Sequence, residues 1–259
     1  MMNLIKSELF KIRKERNLFF IILGIISILS LSIFGFSSKV TVIGIRNILN
    51  TNSINLASGS NILIEILKSG DILILMFLPI IISVFMMDFT TGTVKNNIIS
   101  GYSRSKIYIS KLIVCSIICI ALVLIYSIVA FVLITLKNGY DGKLTFNLIV
   151  DTIKIIALQC PLYIAAISTA FMIGVITKRK SVVITIYLLY QVVVLMISAI
   201  LGRIFPSIIK YEPISNLDKV AHIGTNTCSD NLMFIIIGLI IILVTTIIGI
   251  LRINKIDIK

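Results

Sequence analysis

Charge is scarce in this chain, and what is scarce limits the possible folds. Only 14% of its residues are charged, about half the share of a typical soluble domain. Tryptophan is missing and histidine occurs once, as His222. A water-soluble fold needs a polar exterior, and 259 residues of 58% hydrophobic content and mean hydropathy +1.11 cannot supply one. Lipid must therefore solvate much of the surface. The four cysteines lack metal-ligand spacing. Cys115 and Cys119 share a helix face inside one apolar run, Cys160 lies in another, and only Cys228 falls in a polar stretch, so no disulfide framework is implied.

Three further absences narrow the chemistry. No G-x-x-x-x-G-K-[ST] occurs; the nearest fragment, Gly139-Tyr-Asp-Gly142-Lys143, has the wrong spacing, and Leu144 replaces the magnesium-binding hydroxyl. ATP hydrolysis, if it drives this protein, belongs to a separate chain. The middles of the apolar runs hold no Asp, Glu, Lys, Arg or His, which disfavours an intramembrane enzyme or a proton-driven carrier. Gln159 and Gln191 are the strongest polar groups at that depth and the candidates for a substrate path, although polar side chains in membrane helices commonly bond neighbouring backbone. His222 stands in an outer loop without clustered carboxylates and points to no metal or catalytic site.

Against these absences stand six apolar runs, at 18–36, 72–87, 112–136, 155–176, 182–201 and 232–251. Each approximates the ~20 residues that cross a bilayer. The first is too long for a signal-peptide core and lacks a small-residue cleavage site, so it is expected to remain as a span. Pro79 and Pro161 fall inside the second and fourth runs, where a kink is expected. Before the first run, Met1, Leu4, Ile5, Leu9 and Ile12 share one helical arc, with most basic residues elsewhere around it. That is the pattern of an interfacial amphipathic helix; a disordered basic tail is the other reading. The expected fold class is thus an all-α integral membrane protein, a single transmembrane domain over 1–259, with six transmembrane helices and a short N-terminal interfacial helix.

The net charge of +13 reflects short basic clusters between the runs rather than an aromatic-interleaved basic face, so lipid is the expected partner and nucleic acid is not. Of the 24 Lys and Arg, 15 fall on the side holding both termini and Lys178-Arg179-Lys180. By the positive-inside rule that side is cytoplasmic. The long outer loop 202–231 either dips back into the membrane as a gate or is solvated.

The most informative stretch is the cytoplasmic segment 88–111. Thr91-Gly92 offers a break, Thr93 an N-cap, and Val94, Ile98 and Ile99 an apolar stripe at helical spacing. Ser100-Gly101 ends that short helix, and Ser103 caps the next, which carries Arg104, Lys106 and Lys111. Such a helix suits docking into a groove of a soluble partner; a plain interfacial loop is the alternative.

The pattern Asp88-x3-Gly92-Thr93-x-Lys95, then Gly101-x-Ser103-Arg104-x2-Ile107-Tyr108-x2-Lys111, resembles the segment between the second and third spans of bacterial ATP-binding-cassette permeases of the type-2 exporter class. Among these, the small permeases of bacitracin-resistance and lantibiotic-immunity systems are the most alike. The family usually has Glu at the position of Asp88. The resemblance implies a coupling helix resting on an ATPase, carried here by Asp88, Gly92, Thr93, Val94, Lys95, Ile98, Gly101, Ser103 and Arg104. It implies a multi-pass protein of the bacterial cytoplasmic membrane, paired with a second permease copy or homologue. No cofactor is expected on this chain, ATP and magnesium being held by the ATPase. Export of antimicrobial peptides or similar amphipathic compounds is the implied activity; a non-transporting anchor or assembly factor is the alternative.

Overall fold

Runs of Ile, Leu and Val free of helix breakers satisfy their backbone internally by winding into helices, which is the stable solution in hydrocarbon. The computed structural model describes residues 2–14, parts of 19–30, 67–68, 71–90, 92–138, 146–204, 213–221 and 228–255, and among these the regular elements are all helical. The elements are α1 (Met2–Lys14), α2 (Asp71–Ile81), a π-helical turn (Ile82–Met86), α3 (Met87–Thr90), α4 (Thr93–Ile99), α5 (Arg104–Asn138), α6 (Phe146–Thr177), α7 (Lys180–Ile204), α8 (Pro213–Val220) and α9 (Cys228–Asn254).

Among the described residues, three helices are long and apolar enough to cross a membrane: Arg104–Leu133, Phe146–Thr177 and Ser229–Asn254. Leu73–Met86 and Lys180–Val194 are shorter apolar helices. Leu189, Val192 and Ile200 of α7, with Ile236, Leu239, Leu243 and Ile247 of α9, are exposed. Contiguous apolar faces of this extent are unfavourable in water and natural in lipid. The chain is an all-helical membrane protein. The expected first span, 18–36, lies mostly outside the described residues. The fourth and sixth begin earlier than expected, at Phe146 and Cys228, while the helix of the third begins at Arg104, directly after Ser103 as expected. Polar residues at these ends extend the helices beyond the apolar stretch that hydropathy detects.

Two proline effects differ from each other. The helix through Pro161 runs unbroken from Phe146 to Thr177. In the second expected span, Pro79 is followed by a π-helical turn at Ile82–Met86, so the helix is not uniform. Turns of this kind recur at functional sites.

The bundle centres on α6, which packs against α9, α5, α7 and α2. Small residues bring α9 close. A Cβ on Gly238 would stand 2.8 Å from Pro161 Cβ and 2.9 Å from its backbone carbon. One on Gly249 would stand 2.4 Å from the Tyr108 hydroxyl. Between them, Thr245 Oγ1 bonds Ser168 Oγ at 2.8 Å. Such a small-residue seam lets helix backbones approach, which drives association where no hydrophobic effect acts between helices.

Candidate functional site

At one end of the bundle, charge has been drawn inside. Lys111 sits two turns into α5 and its side chain is fully buried. Its ammonium donates to Glu8 Oε1 of α1 at 2.9 Å, to Asp88 Oδ2 of α3, and to the Val84 carbonyl of the π-helical turn at 3.3 Å. Three donors thus meet three acceptors, the full capacity of a lysine. Lys11 of α1 pairs with Asp88 Oδ1 from the solvent side. Two carboxylates and two ammonium groups therefore join α1, α3 and α5, with Glu8 Oε2 left buried without a partner.

Burial alone would raise the Asp88 pKa. The Lys111 charge, together with hydrogen bonds from Lys11, Lys111 and Thr93, outweighs it and holds the carboxyl below its ordinary range. The Asp88 carboxylate is thus fully engaged inside the chain.

Residues beside the ion cluster in sequence form an aromatic plug. Phe85 of the π-helical turn and Phe171 of α6 stack with ring centroids 4.4 Å apart, and Tyr108 of α5 meets both rings edge-on at 6.0 Å. The plug, like the ion cluster, spans several elements.

The short helix forms largely as expected. Gly92 takes a left-handed conformation (φ 71°) as its N-cap, and Thr93 is the first helical residue rather than the cap. Thr93 Oγ1 instead reaches back to the Asp88 carbonyl at 3.4 Å. Gly101 at φ 86° ends the helix, with Gly101 N donating to the Ile98 carbonyl at 2.9 Å. Both positions need a residue without a Cβ. Ser103 directly precedes α5, and its carbonyl accepts from Ile107 N at 3.1 Å.

The expected apolar stripe is divided. Val94 is 2% exposed and packs inward, so it is not available to a partner in this conformation, whereas Ile99 is 76% exposed and Ile98 half-buried. A seven-residue helix lying against the bundle must bury one apolar residue to hold its place, and the stripe splits there. Arg104 is likewise engaged internally: its guanidinium caps the end of α9, bonding the Asn254 carbonyl at 2.9 Å and that of Ile253 at 3.5 Å. A cation at a helix C-terminus is favourable for its unsatisfied carbonyls.

The surface at this end of the bundle is cationic. Lys6, Arg13, Lys95, Lys106, Lys178, Arg179, Arg252 and Lys255 are exposed, while Glu8 and Asp88, the carboxylates of the ion cluster, are buried. Among the described residues this end therefore presents an apolar tip in a basic field.

The two glutamines part company. Gln159 is fully buried and donates both amide hydrogens to backbone, to Leu67 O at 3.0 Å and Leu217 O at 2.9 Å, so it fastens α8 to α6. Gln191 lines a small cavity among α2, α6, α7, α8 and α9. His222 and the stretch 205–212 lie outside the described residues. Glu8 and Lys11 had not been singled out, yet Glu8 falls on the arc between Leu4 and Ile12. A carboxylate on the apolar arc of a basic helix is the signal that marks it.

Fold and site together define an all-helical membrane protein with a charge-locked, basic end. Residues 20–259 match the family described as "Protein of unknown function (DUF2705)", and the chain belongs to it. The ion cluster joins α1, which precedes the matched region, to Asp88 and Lys111 within it. No curated protein matches the sequence.

Proposed function

We propose that this chain is the membrane-spanning permease subunit of an ATP-driven exporter of the type-2 ATP-binding-cassette class. In this reading six helices cross the bacterial cytoplasmic membrane, both termini are cytoplasmic, and α1 lies in the inner interface. Two permease chains, identical or homologous, pair above two ATPase chains. The cargo is an antimicrobial peptide or similar amphipathic compound.

The observation that carries the reading is the exposed Ile99 on α4, at the end of the bundle where exposed cations gather, on a helix tied to the membrane helices. An apolar tip in a basic field fits an acidic groove on a soluble partner. The ties are the backbone link through Asp88, the Lys111 ion pairs, and the Arg104 cap on α9. A push on α4 is thereby delivered to α1, α2, α5 and α9 together. ATP drives such a device only if the ATPase pair grips the outward-facing arrangement more tightly than the inward-facing one.

Affinity purification of the tagged chain from native membranes in mild detergent, with mass spectrometry, tests the reading. Near-stoichiometric recovery of a nucleotide-binding ATPase is expected. Repeated recovery of intact complexes without one would overturn it.

A further inference from the structure

The first helix does not offer its hydrophobic arc to lipid. Leu4, Glu8 and Ile12, spaced one turn apart on α1, are exposed by only 3%, 5% and 2%. The bundle has taken up this stripe, and the pairs Glu8–Lys111 and Lys11–Asp88 fix it there. Ile5 is half-buried beside it.

What α1 turns outward instead is Met2, Lys6, Leu9, Phe10 and Arg13. At 3.6 residues per turn these five fall within roughly a third of the circumference. Lys6 and Arg13 stand two turns apart, about 10 Å at 1.5 Å per residue, with Leu9 and Phe10 to either side of the line between them. Met2 and Phe10 are 69% and 61% exposed. Among the described residues of α1 the one carboxylate is Glu8, which faces inward, so the outer face combines positive charge and apolar bulk without negative charge.

Hydrocarbon is close at hand. Phe19, Phe20, Leu23 and Ile26 follow soon after α1 in the chain and are exposed apolar residues, a state natural in lipid. The helix that Glu8 and Lys11 hold α1 against, α5, is long and apolar enough to cross a membrane, and Glu8 meets it at Lys111, near its start. This puts α1 where hydrocarbon gives way to water, the zone of the lipid phosphates. There apolar side chains sink while lysine and arginine reach up to the headgroups on their long stems.

We propose that the outer face of α1 binds anionic phospholipid, with Lys6 and Arg13 on the headgroup phosphates and Met2 and Phe10 inserted among the acyl chains. A soluble acidic partner would satisfy the two cations but would have to displace lipid from the apolar residues next to them. The proposal goes beyond the exporter reading and does not rest on it, since it needs only a basic end that meets a charged leaflet. Because the inner face of the same helix pairs with Asp88 and Lys111, lipid held on the outer face steadies the ion cluster.

The test uses the purified full chain in lipid nanodiscs without any ATPase. The probes are phosphatidylglycerol and phosphatidylcholine carrying the same diazirine at the top of one acyl chain, with labelled peptides mapped by mass spectrometry. Saturable labelling of 2–13 by phosphatidylglycerol, weakening as salt rises, is expected. Lys6→Gln with Arg13→Gln should lower it roughly 10- to 30-fold, about 5-fold per cation, to the phosphatidylcholine level. Arg179→Gln with Lys255→Gln removes the same charge from the same end and should leave it unchanged. Met2→Ser with Phe10→Ser should weaken both probes alike. All six positions are exposed, so the unfolding midpoints of these variants in detergent should stay near wild type.

Equal labelling by the two lipids would overturn the proposal. So would an equal fall in the Arg179→Gln and Lys255→Gln pair, because the attraction would then be diffuse. Labelling that ignores the Met2→Ser and Phe10→Ser pair would overturn it too, as would the absence of labelling at 2–13, which would leave this face to a soluble acidic partner. No ATPase enters the assay, so its result and that of the co-purification stand or fall separately.

Discussion

Lys111 shows why a buried charge need not be a defect. All three of its hydrogens reach acceptors, and two of these are carboxylates. Removing one partner of such a set is worse than never having built it, because the others stay buried and uncompensated. Lys111→Met should therefore destabilise the protein by about 3–5 kcal/mol, read as a large drop in the thermal unfolding midpoint in detergent. Asp88 adds a pH dependence. Its folded pKa lies below the unfolded one, so its contribution is complete above the ordinary aspartate range and is lost as pH falls through the lower folded value. Unfolding midpoints measured from about pH 7 down to about pH 3 should fall most steeply at the acid end, and Asp88→Asn should flatten that fall.

Val94 and Ile99 separate fold from function at the same short helix. Val94→Ala opens a buried site and should cost about 1–3 kcal/mol of stability. Ile99→Asp alters an exposed position and should leave the unfolding midpoint within about 0.5 kcal/mol of wild type while abolishing ATPase recovery. If Ile99→Asp retains the ATPase, α4 is not the docking helix. From the sequence the two residues were indistinguishable, both being branched and apolar on one stripe. Contact with the bundle separates them.

At the scale of elements, α9 is held against α6 and α5 by what its side chains lack. Gly238 sits where a Cβ meets Pro161 backbone, and backbone cannot turn aside. Gly238→Val should separate α9 from α6 and lower the unfolding midpoint sharply, whereas Gly24→Ala, where a Cβ meets nothing within 4 Å among the described residues, should not. Helix existence was largely legible from apolar runs, because hydrocarbon leaves the backbone no other solution. Helix ends were less so: α6 begins at Phe146 and α9 at Cys228, ahead of the apolar runs at 155 and 232. The π-helical turn after Pro79 was not legible, since no residue type marks it. It lies where Phe85 joins the aromatic plug and Val84 turns a carbonyl to Lys111.

The molecule as a whole carries its charge asymmetrically. Exposed cations gather at the end that holds α1, α4 and the α6–α7 turn, and the carboxylates of the ion cluster at that end are turned inward. Attraction of an acidic partner to that field falls with ionic strength, since charges beyond about 10 Å are screened at 0.1 M salt. ATPase association with purified chain should accordingly weaken as salt rises, with the association rate changing more than the dissociation rate. A salt-insensitive association would place the contact elsewhere.

Composition and run length determine the solvent of this protein and its helical class, because the cost of unsatisfied backbone in lipid does not depend on which helix meets which. They also locate the short segment 88–111, because glycines at Gly92 and Gly101 are required by backbone conformation, a local property. Pairing is another matter. That Glu8 and Lys11 reach Asp88 and Lys111, that Arg104 caps a helix some 150 residues away, and that Gln159 fastens α8 while Gln191 faces a cavity all depend on which faces meet. Two glutamines in apolar helices look alike along the chain; packing gives one a backbone to hold and the other a space to line.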